Sequence, residues 1–173
     1  MSRWALLLRG VNVGGLTIVM SELRSLLTGI GTGGVTTWLA SGNVALDWPG
    51  DGESLADAAS AALAARYGRP VRLVVMDFDE LADVVAHCPF VADPQEHRYV
   101  IVCEDDDVAT RLVRHAVPGD GPVEEFSARG RVVYWRCPKN STLTTPFARH
   151  QARFTDRART TARNLNTLEK MLR

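Results

Sequence analysis

Two hairpin-like segments, GNVALDW from Gly42 and GRVVYW from Gly130, stand at matching places in two successive runs of alternating strand and helix signals. That doubled order constrains the fold more than any other feature of the chain. In the first run, Trp4 to Leu8 reads as a strand. Val19, Leu23, Leu26, Leu27 and Ile30 then follow with helical spacing up to Gly31. Val35 to Ala40 and Val44 to Trp48 flank Ser41-Gly42-Asn43, whose Gly and Asn tolerate the positive φ of a tight hairpin. Ser54 is placed to cap a helix with Leu55, Ala59, Ala62, Leu63 and Tyr67 on its inner stripe, stopped by Gly68. Val71 to Met76 is a strand, and Asp77 with Glu80 opens a helix that Pro89 ends.

The second run repeats this order. Arg98 to Cys103 is a strand, Glu104 to Asp107 precede a helix through Val108, Leu112, Val113 and Ala116, and Pro118 to Gly121 form a turn. Val123 to Ser127 and Arg131 to Cys137 make the second hairpin, and Thr145 caps a helix whose first residue is Pro146. A short extended piece from Thr160 to Arg163 and a helix from Leu165 to Leu172 finish the chain. Each half thus reads β-α-β-β-α-β plus a following helix. The economical architecture is α+β with two tandem α-β plaits of the ferredoxin-like type, residues 1–90 and 91–173, the last helix packing back on the first domain. A single α+β domain with six to eight strands is the competing arrangement.

Charge is distributed unevenly along the 173 residues. Residues 1–128 carry 9 Lys+Arg against 18 Asp+Glu, and residues 129–173 carry 11 against 2, so a net charge of zero hides balances of −9 and +9. The basic end is arginine-rich, which suits planar contacts to phosphate or carboxylate; it suits equally well ion pairs with the acidic part of the chain itself. Arg149, Arg153 and Arg157 recur four apart and form a candidate phosphate-contact face if one helix carries all three.

Several chemistries are disfavoured by spacing. Gly10, Gly14 and Gly15 fit neither the phosphate-binding P-loop nor the dinucleotide fingerprint, and the lysine and hydroxyl of the former are missing. His87, His97, His115 and His150 lack zinc spacing, and no GxSxG surrounds Ser41. Asp105-Asp106-Asp107 reads as a helix start rather than a metal site, and RGRVVYW as packing rather than an RNA-binding strand. Cys88, Cys103 and Cys137 suggest inert thiols, with no disulfide framework. No apolar run approaches the roughly 20 residues of a membrane helix, and Met1 to Leu8 lacks the apolar core of a secretory signal. The expectation is a cytoplasmic protein without membrane contact, metal or cofactor, a monomer in preference to an assembly.

Three polar stretches remain: LLLRGVNVGG from Leu6 to Gly15, ASGNVAL from Ala40 to Leu46, and TTARNLNT from Thr160 to Thr167. In content and order they resemble the bacterial domain-of-unknown-function 1697 family, whose members read like LLRGINVGG, QSGNV and TTRNWNT. The resemblance implies tandem α-β plaits and supplies no activity. It singles out Arg9, Gly10, Asn12, Gly14, Gly15, Met20, Leu23, Arg24, Ser41, Gly42, Asn43, Thr161, Arg163, Asn164, Asn166 and Thr167. Leu16, Ala162 and Leu165 depart from the basic residue, threonine and tryptophan usual there, which weakens a strongly cationic or base-stacking pocket.

Residues of these types make directional hydrogen bonds. The functional expectation is a binding module for an anionic partner, a nucleotide, a nucleic acid or another small anion, at the seam between domains. Its ligand-binding residues would be Arg9, Asn12, Gly14, Gly15, Ser41, Asn43, Arg163, Asn164, Asn166 and Thr167. One alternative is a metal-independent enzyme acting on a small phosphorylated or carboxylated metabolite, for which no general acid or nucleophile is identifiable. The other is a polar latch that binds nothing.

Overall fold

The computed structural model describes residues 1–12, 15–114, 116 and 123–173, with nothing stated for the side chain of residue 158. Two four-stranded antiparallel sheets and six α-helices are present among the described residues. The chain divides into one unit of Met1–Asp83 with Met171–Arg173, and a second of Val84–Lys170.

The first unit runs β1 (Ser2–Leu8), α1 (Met20–Gly29), β2 (Gly33–Trp38), β3 (Asn43–Trp48), α2 (Gly52–Tyr67), β4 (Leu73–Asp77) and the start of α3 (Phe78–Ala86), with strand order β2-β3-β1-β4. Alternation along β1 and β3 sends Leu6, Leu8, Val44 and Leu46 to the same core as Leu23 and Leu27 of α1 and Leu55, Ala59 and Leu63 of α2. Each of these leucines is fully buried, worth about 2 kcal/mol relative to exposure. On the opposite face Ala5, Leu7, Ala45 and Met76 are buried as well.

Local chemistry accounts for the element ends. Asp51 caps α2 by accepting from the Ser54 N–H at 2.8 Å, and Gly68 closes that helix at φ +67°. Ser54, expected as the cap, lies inside the first turn and binds the Asp51 carbonyl and the Trp48 indole instead. Asp77 accepts from the Glu80 N–H at 2.6 Å, opening α3 as expected.

The second unit holds β5 (Glu96–Cys103), α4 (Asp106–Arg114), β6 (Glu125–Arg129), β7 (Val132–Pro138), α5 (Pro146–Arg153), a 3-10 turn (Arg157–Arg159), β8 (Thr160–Asn164) and α6 (Leu165–Met171). Its strand order, β6-β7-β5-β8, reproduces that of the first sheet. Ile101, Cys103, Val133, Trp135 and Cys137 meet Val108, Ala109 and Leu112 of α4 and Phe147 of α5. Phe126 and Phe147 stack at 4.5 Å between centroids, and Tyr99 and Trp135 at 5.2 Å. Thr145 accepts from the Ala148 N–H at 3.1 Å with Pro146 at the first helical position. His115 and the Pro118 to Gly121 turn lie outside the described residues.

Cys103 and Cys137 are buried free thiols, Cys88 a half-buried one. Burial pushes Cys103 up to about 12 and raises Cys137, so neither is a thiolate at neutral pH. Among the described residues no cluster of His, Cys, Asp and Glu could hold a metal ion, and no helix is long and apolar enough to cross a membrane.

Candidate functional site

The polar residues of the first unit converge on the connection that leaves β1 and on the hairpin between β2 and β3. Beyond Leu8 the chain carries φ +68° at Gly10, +57° at Asn12 and +126° at Gly15, values that favour glycine and, next after it, asparagine. Asn12 uses its whole carboxamide. Nδ2 donates to the Ile18 carbonyl at 3.1 Å and the Ala40 carbonyl at 2.5 Å, while Oδ1 accepts from the Ile18 N–H at 2.8 Å. Its main-chain N–H donates to the Leu16 carbonyl at 2.8 Å. One side chain therefore closes the loop on itself and ties it to the hairpin. Val11 and Ile18, both buried, seat that loop on the core.

Gly42 completes the contact from the other side. Its carbonyl accepts from the Leu8 N–H at 2.8 Å, and at φ +74° a Cβ there would stand 2.7 Å from Leu8 Cβ and 3.0 Å from Val11 Cγ2. The turn comprises residues 39–42, beginning two positions and ending one position before the Ser41 to Asn43 that the sequence suggests, because Leu39 as well as Gly42 adopts positive φ. Asn43 is consequently the first residue of β3 rather than a hairpin tip, and it is wholly buried. Its Nδ2 donates to the Trp38 carbonyl at 3.0 Å and to Ser41 Oγ at 2.8 Å, while its buried Oδ1 has no partner among the described residues. Arg9 is half-buried, and its N–H donates to the Arg72 carbonyl at 2.8 Å. Gly14 lies outside the described residues; the Cβ direction of Gly15 is open space, so its backbone angle, not a close approach, explains a glycine there.

Arg163, Asn164, Asn166 and Thr167 belong to the second unit. Arg163 of β8 is 7% exposed and donates through Nη1 to Thr161 Oγ1 at 2.7 Å and the Ala162 carbonyl at 2.8 Å. Burial lowers its guanidinium to about 10, which leaves it charged at neutral pH. Asn164 is a helix cap, its Oδ1 accepting from the Asn166 N–H at 2.9 Å at the start of α6. Asn166 is exposed and accepts from Arg98 Nη2 at 3.4 Å; Thr167 is buried.

Part of the basic C-terminal segment is engaged within the fold. Arg159 pairs with Glu104 and Asp105 at 2.7 Å each, and Arg136 with Glu96 at 2.8 Å and Glu125 at 2.5 Å. The expected face of Arg149, Arg153 and Arg157 is absent, because α5 ends at Arg153, the buried Phe154 turns the chain, and Arg157 starts the 3-10 turn. Arg157 donates back to the Ala152 carbonyl at 2.8 Å and Arg149 to the Thr144 carbonyl.

Arg153 has a different setting. It lines a cleft of about 450 Å³ with Arg111, His150, Phe154, Thr155 and Asp156. Arg111 is held there by Asp107 and, at 2.8 Å, by Asp156, whereas Arg153 has no ion-pair partner among the described residues. His150 Nε2 lies 2.9 Å from the Leu112 carbonyl. A carbonyl only accepts, so Nε2 carries a proton, and the tautomer this selects has its lone pair on Nδ1. That nitrogen has no hydrogen bond among the described residues and is not sealed from solvent. The cleft escapes sequence inspection because its members come from α4, α5 and the following turn; the one local signal, His150 three residues before Arg153, matches no motif.

Residues 1–134 match the family described as protein of unknown function DUF1697. The chain belongs to this family. The match covers the first two polar stretches and ends before Thr160 to Thr167. Among solved structures, the conserved bacterial protein SP0830 from Streptococcus pneumoniae is similar, with a TM-score of 0.82, 22% identity, and coverage of 99% of this chain and 98% of that one. At that identity the likeness concerns the fold. No curated protein matches the chain.

Proposed function

We propose that the chain is a binding module for a small anion of the phosphate or nucleotide class, received in the cleft of the second unit. The cleft carries the argument: about 450 Å³ suits a mononucleotide, and its lining supplies two guanidiniums, an imidazole, a hydroxyl and an aromatic ring. Arg153 decides the charge preference, since among the described residues its fork has no ion-pair partner while that of Arg111 is neutralised by two carboxylates. A small ligand fits better than a polymer, because a nucleic-acid track needs a row of available cations and Arg149 and Arg157 are occupied by main-chain carbonyls. Titration with inorganic phosphate and adenosine monophosphate tests this by melting temperature. A saturable rise that disappears in Arg153→Ala, with the unliganded melting temperature unchanged, is the expected result. No rise with either probe refutes the proposal.

A second reading makes the same cleft catalytic. It rests on His150, whose Nε2–H is pinned to a carbonyl and whose Nδ1 is left as a base, the arrangement general-base catalysis needs. For the polar stretch around Asn12 we favour a latch, supported by the complete internal use of its carboxamide. Each unit is best described as a ferredoxin-like plait, given the β-α-β-β-α-β order and antiparallel strand orders β2-β3-β1-β4 and β6-β7-β5-β8. Three free cysteines favour a reducing, cytoplasmic setting.

A further inference from the structure

The cleft between α4 and α5 already contains an anionic group of its own. Asp156 lines it together with Arg111 and Arg153, and Asp156 Oδ2 accepts from Arg111 Nη2 at 2.8 Å. A carboxylate oxygen at that distance stands where a phosphate oxygen would stand on the same nitrogen, since a guanidinium offers both anions the same planar fork. The other terminal nitrogen of Arg111, Nη1, is taken by Asp107, four positions earlier on α4. Asp107 is largely exposed and lies outside the residues that line the cleft. The two carboxylates therefore differ in kind: Asp107 steadies Arg111 from its own helix, whereas Asp156 occupies Nη2 from within the cleft.

The Asp156 side chain has somewhere else to go. Its main-chain carbonyl accepts from the Arg159 N–H at 2.7 Å and so fixes the backbone at the start of the 3-10 turn. An aspartate at such a position commonly caps the turn that follows, yet this one makes no side-chain cap hydrogen bond. Arg159 offers a second berth. It gives Nε to Glu104 and Nη2 to Asp105, and its remaining nitrogen, Nη1, stands 4.0 Å from Asp156 Oδ1. A movement of about 1 Å brings that pair to hydrogen-bond distance. The pair that Asp156 makes with Arg111 is partly exposed on both sides, a kind of contact that is weak and easily exchanged.

We infer that Asp156 is the internal competitor of the site, an inference that rests on the anion-binding reading of the cleft. A ligand phosphate takes Arg111 Nη2 from the Asp156 carboxylate, and the carboxylate moves onto Arg159 Nη1. Arg153 receives the ligand first, because it has no ion-pair partner among the described residues, and the exchange at Arg111 then supplies the second guanidinium. Asp107 keeps Arg111 in place while Asp156 changes partner. A competitor tethered to the site acts at a high effective concentration, so Asp156 lowers the affinity for phosphate without abolishing it.

Titration calorimetry with inorganic phosphate tests the exchange on the wild-type chain, Asp156→Asn, Arg111→Gln and the double variant. Asp156→Asn keeps the size of the side chain and removes its charge, and it should bind phosphate roughly fivefold tighter than wild type. In the Arg111→Gln background the same substitution should gain nothing, because the nitrogen it uncovers is no longer there. Asp156→Ser repeats the comparison if circular dichroism shows the asparagine variant unfolded. An equal gain in both backgrounds would reduce Asp156 to a repelling charge, and no gain in either would remove any competition; each result overturns the competitor and leaves the cleft as the anion site. Absence of binding to wild type and Asp156→Asn alike removes the anion-binding reading itself, and the competitor with it.

Discussion

Replacing Asn12 by alanine removes three side-chain hydrogen bonds at once. Two of them, with the N–H and carbonyl of Ile18, are partly buried, and Ile18 itself is 2% exposed, so its main-chain groups lose their partner where water reaches poorly. Each such loss costs about 1 kcal/mol; the bond to the Ala40 carbonyl is exposed and adds a few tenths. Alanine also tolerates φ +57° less well than asparagine, adding up to about 1 kcal/mol. The total is roughly 2 to 4 kcal/mol, a large share of the stability of a small domain.

The assay follows from where the tryptophans lie. Trp4, Trp38 and Trp48 are in the first unit and Trp135 is in the second, so urea unfolding followed by tryptophan fluorescence reports mainly on the unit that carries Asn12. Asn12→Gly separates the two contributions, since it loses the hydrogen bonds without the backbone penalty and should retain about 1 kcal/mol more than Asn12→Ala. Hydrogen exchange at the Ile18 amide should accelerate in both variants. An Asn12→Ala protein within about 0.5 kcal/mol of wild type would refute the latch.

Gly42→Ala should destabilise the first unit by more than about 2 kcal/mol, because the new methyl meets Leu8 Cβ at 2.7 Å while the backbone stays at φ +74°; a urea midpoint unchanged from wild type contradicts this. Cys103 supplies a pH test. Its folded thiol is raised from 9.0 to about 12, so above pH 9 the unfolded chain releases a proton that the folded one keeps, and stability falls as pH rises. Between pH 9 and 10 the loss from this group is about 1 kcal/mol, and it should vanish in Cys103→Ala. Equal pH slopes for the two proteins would show that Cys103 does not titrate as its burial requires.

The order of elements was readable because apolar periodicity and capping chemistry are local. Asp77, Gly68, and Thr145 with Pro146 act where their neighbours in sequence say they should. Errors arose where two local solutions compete. Asp51 and Ser54 are both capping residues, and the choice between them depends on where Trp48 ends β3 and offers its indole to Ser54. The repeat of Arg149, Arg153 and Arg157 is a true period of four, yet a period does not say where a helix stops, and Phe154 stops it by turning into the core. The cleft was hidden for a different reason. Arg111 and Asp156 are 45 positions apart and meet only after the second unit has folded.

The opposed charges of the two parts of the chain follow from the same folding of the second unit. Glu96, Glu104, Asp105 and Glu125 fall in the acidic part of the sequence, and Arg136 and Arg159 in the basic part; β5-β7 pairing and the return of the chain to β8 bring them within 2.9 Å of one another. Partly exposed pairs of this kind contribute little stability singly. Their larger effect here is on recognition, because every arginine so engaged is withdrawn from the pool that a nucleic acid would contact. A sequence balance of +9 therefore overstates the positive field that this segment presents, since Arg136 and Arg159 are neutralised by carboxylates while Arg153, among the described residues, is not. On the reading proposed above, a polymer with regularly spaced phosphates would gain little from such a surface, whereas a ligand with one or two phosphates would need no more than the cleft between α4 and α5 provides.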